Sequence, residues 1–311
     1  VSAARLSTAE TYQALHDGVV GRVTERDVVR VAGPDAVSYV QGQVSQDVAS
    51  LAPGQSAEAL LLSVQGKLEV YVRVTLLGPE ELLVDVEPGW GDVAFERLRR
   101  FKIRVKADLE QATWRLAELR GPASAAALAA AGLDAGAIGA VPIPVAWPGL
   151  VGIDLLGPSA TLPDGVPEGD EAAFEAARIE AGQPRMGSEL TDRTIAQEAG
   201  VVERTVSFTK GCYTGQELVA RIDSRGNRVP RLLRGLVFAE SSPDRLPAVG
   251  DTVAIDGKEV GVLTSVAWSP RTSSPVALGY LRREVVPPAE AVATSASGEL
   301  EVAIEALPLV P

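Results

Sequence analysis

One cysteine and one histidine among 311 residues exclude a good deal of chemistry. A single thiol cannot build an intramolecular disulfide framework, and it fits a reducing compartment. The four cysteines of a private iron–sulfur site are missing, and so is any cluster with zinc-ligand spacing. The lone His16 reads as a solvated surface residue. Basic charge is also scarce: 29 Lys and Arg against 41 Asp and Glu leave a net charge of −12. That sign argues against general nucleic-acid binding by phosphate neutralisation. Long apolar runs are absent too. The longest tract, residues 123–145, is rich in alanine and glycine and broken by Asp134, Pro142 and Pro144, whereas a membrane span needs about 20 strongly apolar residues. Residues 1–6 lack the apolar centre of a signal peptide. No Gly-x-Gly-x-x-Gly fingerprint or P-loop stands where a strand meets a helix. The expectation is a soluble cytoplasmic protein that contacts neither membrane nor nucleic acid directly.

What is present is a globular sequence, 46% hydrophobic, too long for one ordinary core and therefore divided into two or three units. Residues 27–32 read as a strand. A helix is expected from Pro34 or Asp35 to about Val48, because Val37, Val40, Val44 and Val48 recur at three- and four-residue steps; on it Gln43 and Asp47 share a face. Residues 59–64 and 68–76 form a hairpin around Gln65-Gly66-Lys67, with a third strand at 82–86. A helix over 90–101, strands at 103–106 and 113–119, and an alanine-rich helix over 122–132 follow. This order of strands and helices is ferredoxin-like and mixed α/β. Residues 157–170 read as a linker and 171–181 as a helix ended by Gly182. Beyond Arg234 short apolar runs alternate with turns, at 236–239, 252–255, 259–267, 276–281 and 301–304. Asp256-Gly257 is a hairpin signal, and residues 269–275 hold a loop. Such spacing predicts a small antiparallel barrel.

The cysteine lies in Lys210-Gly211-Cys212-Tyr213-Thr214-Gly215-Gln216-Glu217. Glycines permit positive φ and close backbone approach, and a neighbouring lysine favours the thiolate, the form that reacts or binds metal. Chemistry alone leaves two readings open, a working thiol and a small buried hydrophobe. The wording is more specific. With Leu218-Val219-Ala220-Arg221 following, the octapeptide closely resembles the signature of the YgfZ family of folate-binding proteins, a branch of the group that contains the glycine-cleavage aminomethyltransferase. Gln41-Gly42-Gln43-Val44-Ser45-Gln46-Asp47-Val48, Gln65-Gly66-Lys67 and Ile195-Ala196-Gln197-Glu198 resemble further family segments, with Ala196 in place of a proline.

The resemblance implies an α+β, GcvT-like cloverleaf. Residues 1–231 would form a folate-binding region of two interleaved ferredoxin-like subdomains (1–50 with 113–205, and 51–112 with 206–231), and residues 232–311 a C-terminal antiparallel β-barrel. It further implies a tetrahydrofolate cofactor or a one-carbon derivative, and a role with iron–sulfur proteins or their assembly factors, including tRNA-modifying enzymes. Cys212 would work as a transient cluster ligand or a redox thiol, with Lys210 tuning it. Gly211 and Gly215 would shape the loop beside Tyr213, while Gln216, Glu217 and Arg221 hold it. Gln43, Asp47, Glu180 and Glu198 are the candidate folate contacts. The six cations Arg97, Arg99, Arg100, Lys102, Arg104 and Lys106 form either a solvated helix face or a local anion-attracting patch. The aminomethyltransferase carries an adjacent aspartate pair after its Gly66 equivalent; here Val70 and Tyr71 take those positions and Glu69 is displaced by one. Two alternatives remain: a tetrahydrofolate-dependent one-carbon transferase with Glu69 as a relocated acid, and a folate-binding structural module with an inert cysteine.

Overall fold

Along residues 20–32 valines flank a polar centre, and when the stretch is extended Arg22, Arg26 and Val28 fall on one face and Val29 and Val31 on the other. In the computed structural model, which describes residues 5–132, 139–239, 246–295 and 298–310, this stretch is β1 (Val20–Ala32), at the centre of a seven-stranded sheet. Its neighbours are β2 (Ser56–Leu62), β3 (Leu68–Gly78), β4 (Glu81–Val86), β5 (Asp108–Arg120), β6 (Val141–Trp147) and β7 (Leu150–Gly157), in the order β2-β3-β4-β1-β5-β7-β6. Every adjacent pair is antiparallel.

On one face, α2 (Ala36–Gln41) and α3 (Gly91–Phe101) cover the β2-β3-β4-β1 half, burying Val40, Val44, Val70, Val72, Val84 and Leu98. α4 (Ser124–Ala130) lies against β7. α1 (Thr8–Asp17) and α5 (Glu171–Glu180) pack together and join the sheet to the C-terminal unit, where Tyr12, Phe174 and Ile179 share a core with Leu233, Leu278 and Tyr280. That unit is a closed barrel of β8 (Arg231–Phe238), β9 (Thr252–Ile255), β10 (Lys258–Ser269), β11 (Ser274–Arg282), β12 (Ala289–Ser295) and β13 (Gly298–Glu305), ordered β10-β11-β8-β13-β12-β9. The expected mixed α/β region followed by an antiparallel barrel is therefore present. The Asp256-Gly257 turn joins β9 to β10 with both residues at positive φ, 50° and 72°, as a two-residue hairpin of this twist requires.

Several expectations need correction. The helix begun at Ala36 ends at Gln41, not near Val48. Gln41 Oε1 accepts the backbone N–H groups of Val48 and Ala49, at 2.9 and 3.2 Å, and Ser45 N donates to Leu60 O of β2 at 3.1 Å. Backbone groups that a longer helix would have used are thus satisfied elsewhere. Residues 103–106 are not a strand; Arg104 sits at φ 57°, which breaks an extended run. Strands β6 and β7 had no counterpart in the sequence reading. β6 carries Pro142 and Pro144 and lies at the sheet edge, where a strand tolerates proline. Residues 133–138 of the alanine/glycine tract lie outside the described residues. Two short helices complete the chain, α6 (Val202–Thr205) and α7 (Gln216–Ser224), the latter starting inside the octapeptide.

Candidate functional site

The sheet face opposite α2 and α3 carries buried charged side chains, which come from alternate strand positions. Arg22 and Arg26 project from β1, Arg73 from β3, Asp85 from β4, Glu118 and Arg120 from β5, and Asp154 from β7. Register places Arg73 opposite Asp85 and Arg22 opposite Glu118. It also sets two like charges, Glu118 and Asp154, directly opposite each other, a destabilising pair unless a cation intervenes. Arg120 supplies it, with Nη2 2.9 Å from Glu118 and Nη1 2.7 Å from Asp154. Arg73 also binds Asp154, and reaches Asp85 at 3.0 Å; Arg26 reaches Asp85 at 2.8 Å and Arg22 reaches Glu118 at 3.0 Å. Burial alone would raise the Asp154 carboxyl, but Arg120 and Arg73 outweigh it and hold the group down at about 2.

All of these residues except Asp85 line the floor of a cavity of about 710 Å³, within the range of small-molecule sites. Its walls include Tyr71, Trp90, Ile143, Trp147, Phe174 and Met186. Arg22 stacks over Phe174 at 4.5 Å and Arg120 over Trp147 at 5.4 Å. The Tyr71 phenol is pushed up by burial and further by Glu58, so it stays protonated. Glu69 does not reach this cavity. A β-bulge between Leu61 and Leu62 pairs Leu61 with Val70 and Leu62 with Leu68, leaving Glu69 as the extra residue. Val70 consequently packs in the core beneath α3, and Glu69 forms a 2.7 Å ion pair with Arg97 of that helix.

The octapeptide forms a separate site, and Cys212 is exposed. Lys210 Nζ donates to the carbonyl oxygens of Gln41, Val44 and Gln46 at 2.6, 2.7 and 2.8 Å and lies 5.2 Å from the Tyr213 ring centroid. Burial lowers it to about 8 against the upward pull of Asp47. Its ammonium fastens the loop to residues 41–46. Gly215 is the N-cap of α7 at φ 83°, and a Cβ there would fall 2.5 Å from Ser63 O. The glycine is therefore required both for its left-handed backbone and for close approach to the β2–β3 turn. Gln216 Oε1 accepts from Tyr213 N at 3.2 Å. Gly211 is exposed; so are Glu217 and Arg221, whose side chains make no hydrogen bond among the described residues.

None of Gln43, Asp47, Glu180 and Glu198 lines the cavity. Gln43 accepts from Arg97 at 3.1 Å, and Asp47 accepts from Gln41 at 2.8 Å. Gln43 and Asp47 lie beyond the end of α2, so the shared helical face does not form. Glu180, buried, accepts from Tyr12 Oη at 2.6 Å and from Ser269, at the seam between α1, α5 and the barrel. Glu198 pairs with Arg231 at 3.1 Å while its carbonyl accepts from Leu233 N, fastening residues 195–201 to β8. Of the six-cation run, Arg97 is buried against Glu69, Gln43 and the Phe101 ring, while Arg99, Arg100, Arg104 and Lys106 are exposed. The floor residues Arg73, Arg120 and Asp154 escaped the sequence reading; charged residues at alternate positions of buried strands were the available signal. Among the described residues no group of three His, Cys, Asp or Glu could hold a metal ion.

Residues 231–310 match the family described as the glycine cleavage T-protein C-terminal barrel domain. The chain is 28% identical over 265 residues to a Neurospora crassa protein named iron-sulfur cluster assembly factor IBA57 homolog, mitochondrial, covering 78% of this chain and 59% of that one. It is 29% identical over 247 residues to an Edwardsiella ictaluri tRNA-modifying protein YgfZ, covering 73% and 72%. The match spans about three fifths of the Neurospora protein's length. The crystal structure of glycine cleavage system aminomethyltransferase T from Bartonella henselae superposes with a TM-score of 0.83 at 21% identity, over 98% of this chain and 90% of that one. By fold, barrel and relatives together, the chain resembles the YgfZ-type and other GcvT-like proteins, and its C-terminal barrel matches that of the glycine cleavage T-protein.

Proposed function

We propose that this protein binds tetrahydrofolate, or a one-carbon derivative of it, in the sheet cavity and supports assembly or repair of iron–sulfur enzymes, tRNA-modifying ones among them, through the thiol of Cys212. The observation that carries the reading is a separation: a ligand-sized cavity with aromatic walls, and an exposed thiol on a fastened loop that lines no part of it. The cavity fits the cofactor. Flat faces at Tyr71, Trp90, Trp147 and Phe174 suit stacked rings, and buried Arg73 Nη2 and Arg120 Nε have no hydrogen-bond partner among the described residues. The names carried by the Neurospora and Edwardsiella relatives support the iron–sulfur and tRNA-modification side of the proposal.

The transferase alternative finds no acid at the positions it names, although Glu87, whose carboxyl is raised by burial, lines the cavity. Val70 is in the core, Tyr71 keeps its proton, and Glu69 is turned to Arg97. The inert-cysteine alternative is disfavoured by a thiol that is exposed and joins no core cluster. Iron–sulfur proteins or their assembly factors are the proposed macromolecular partners, cytoplasmic the proposed location, and interleaving of the two parts of residues 1–231 the proposed domain arrangement.

The test is complementation of a deletion strain. Serine has no accessible anion near neutral pH and cannot replace a thiolate ligand or nucleophile. Cys212→Ser should therefore fold, retain tetrahydrofolate binding and fail to restore iron–sulfur enzyme activity. Full rescue by the serine variant would end the assignment of work to the thiol.

A further inference from the structure

The cations at the end of α3 line no part of the cavity. Residues 97–107 hold six of them and no carboxylate. Arg97 is spent on Glu69, and Arg99 pairs with Glu96 at 2.6 Å. Arg100, Lys102, Arg104 and Lys106 make no side-chain hydrogen bond or ion pair among the described residues. Three carboxylates pair with, bond to or follow this stretch: Glu96, Asp35 and Asp108. Set against them, residues 99–106 still keep a positive surplus, in a chain of net charge −12. Cations in the last turn offset the helix dipole, which accounts for Arg99 and Arg100. Arg104 and Lys106 lie past the C-cap, Lys102, and have no such role.

The same loop displays an apolar side chain. Ile103 is 75% exposed between half-buried Phe101 and Val105. Its N–H donates to Phe101 O at 3.1 Å, and Arg104 follows at φ 57°, a backbone conformation that side chains disfavour. Asp35 pins the far end: its Oδ2 accepts from Lys106 N at 2.8 Å and its N–H donates to Lys106 O at 3.2 Å. A single exposed isoleucine is ordinary. One held out by two tight turns among four unpaired cations has the pattern of an interface, an apolar centre within a charged rim. Its position ties it to the thiol. Arg97 donates to Gln43 Oε1 and Leu62 O, while Lys210 fastens the thiol loop to residues 41–46 and Gly215 packs on Ser63. Both loops are braced on the same two segments, so a body docked at Ile103 is held in fixed relation to Cys212. A nucleic acid would carry its phosphates past this patch onto an acidic chain; a protein needs only a local acidic surface.

We infer that residues 99–106 are the docking site of an acidic protein, which seats Ile103 in an apolar pocket and pairs its carboxylates with Arg100, Lys102 and Arg104. The inference rests on the proposed function only for the partner's being an iron–sulfur protein or assembly factor.

The experiment is complementation of the deletion strain by the full chain carrying Arg100→Glu/Lys102→Glu/Arg104→Glu or Ile103→Ser, each beside Cys212→Ser. Both docking variants should keep the wild-type melting temperature, tetrahydrofolate binding and rate of Cys212 alkylation by iodoacetamide. Both should lower the restored iron–sulfur enzyme activity by about tenfold or more. If the triple reversal fails to fold, Ile103→Ser, at an exposed site, decides. Full rescue by either folded variant overturns the site. Rescue by Cys212→Ser where the docking variants fail upholds the site and removes the thiol's role; the converse removes the site alone. The class of partner is read from a photoreactive p-benzoylphenylalanine placed at position 103. The expected adduct is a protein joined through an acidic surface, lost in the triple reversal and regained when that surface's carboxylates are changed to lysine. An RNA adduct, no adduct, or one that survives the reversal overturns the proposal.

Discussion

The surroundings of Asp154 and Lys210 set the chemistry of both side chains, and each makes a measurable prediction. Asp154 has a folded-state pKa of about 2 against an ordinary 3.8. A depressed carboxylate contributes stability that is complete above its unfolded value and is lost as pH falls through its folded value. Between pH 4 and pH 2 the wild type should therefore lose on the order of 2 kcal/mol more stability than Asp154→Asn, measured by urea unfolding at each pH. Equal slopes would mean that Arg73 and Arg120 do not hold the charge. Lys210 donates to three carbonyls. Lys210→Met should cost about 2 kcal/mol or more and raise hydrogen exchange at residues 41–46 and 207–215. Unchanged protection in those segments would contradict the fastening role.

Among the elements, the β2–β3 hairpin governs both sites, because its turn supports Gly215 while its bulge aims Glu69. Gly215→Ala places a Cβ 2.5 Å from Ser63 O and 2.7 Å from Leu62 Cβ at φ 83°. It should destabilise by about 1–3 kcal/mol in chemical denaturation, and a neutral result would show that the turn yields. Glu69→Gln removes the partner of a buried guanidinium and should lower the melting temperature while leaving tetrahydrofolate affinity unchanged. Loss of affinity would mean that Glu69 faces the cavity. These elements also show what was legible in the sequence. The hairpin, β4, α3 and α5, with their unambiguous periods, were readable, as was the Asp256-Gly257 turn with its demand for positive φ. The end of α2 was not, since it depends on Gln41 and Ser45 bonding to backbone far along the chain. β6 was hidden by Pro142 and Pro144, which its edge position accommodates. The octapeptide singled out Cys212 and Gly215. The floor of the cavity needs the register of β3, β4, β1, β5 and β7 at once, and no local pattern contains it.

On the scale of the whole molecule, α1 and α5 join sheet to barrel through a shared core, and no described helix is long and apolar enough to cross a membrane. α5 also carries Arg178, which lines the cavity and binds Glu189 and Ser265, the latter on β10. A ligand in the cavity therefore contacts residues tied to both units, and its binding should stabilise the chain as one cooperative body. The most direct measurement is the melting temperature of the purified protein across a tetrahydrofolate titration. The account predicts a single transition that rises with the logarithm of free ligand, reaching about 2.7 kcal/mol of stabilisation at a hundredfold excess over the dissociation constant, in the wild type and in Cys212→Ser alike. A melting temperature that does not move with any reduced folate, mono- or polyglutamylated, would contradict it.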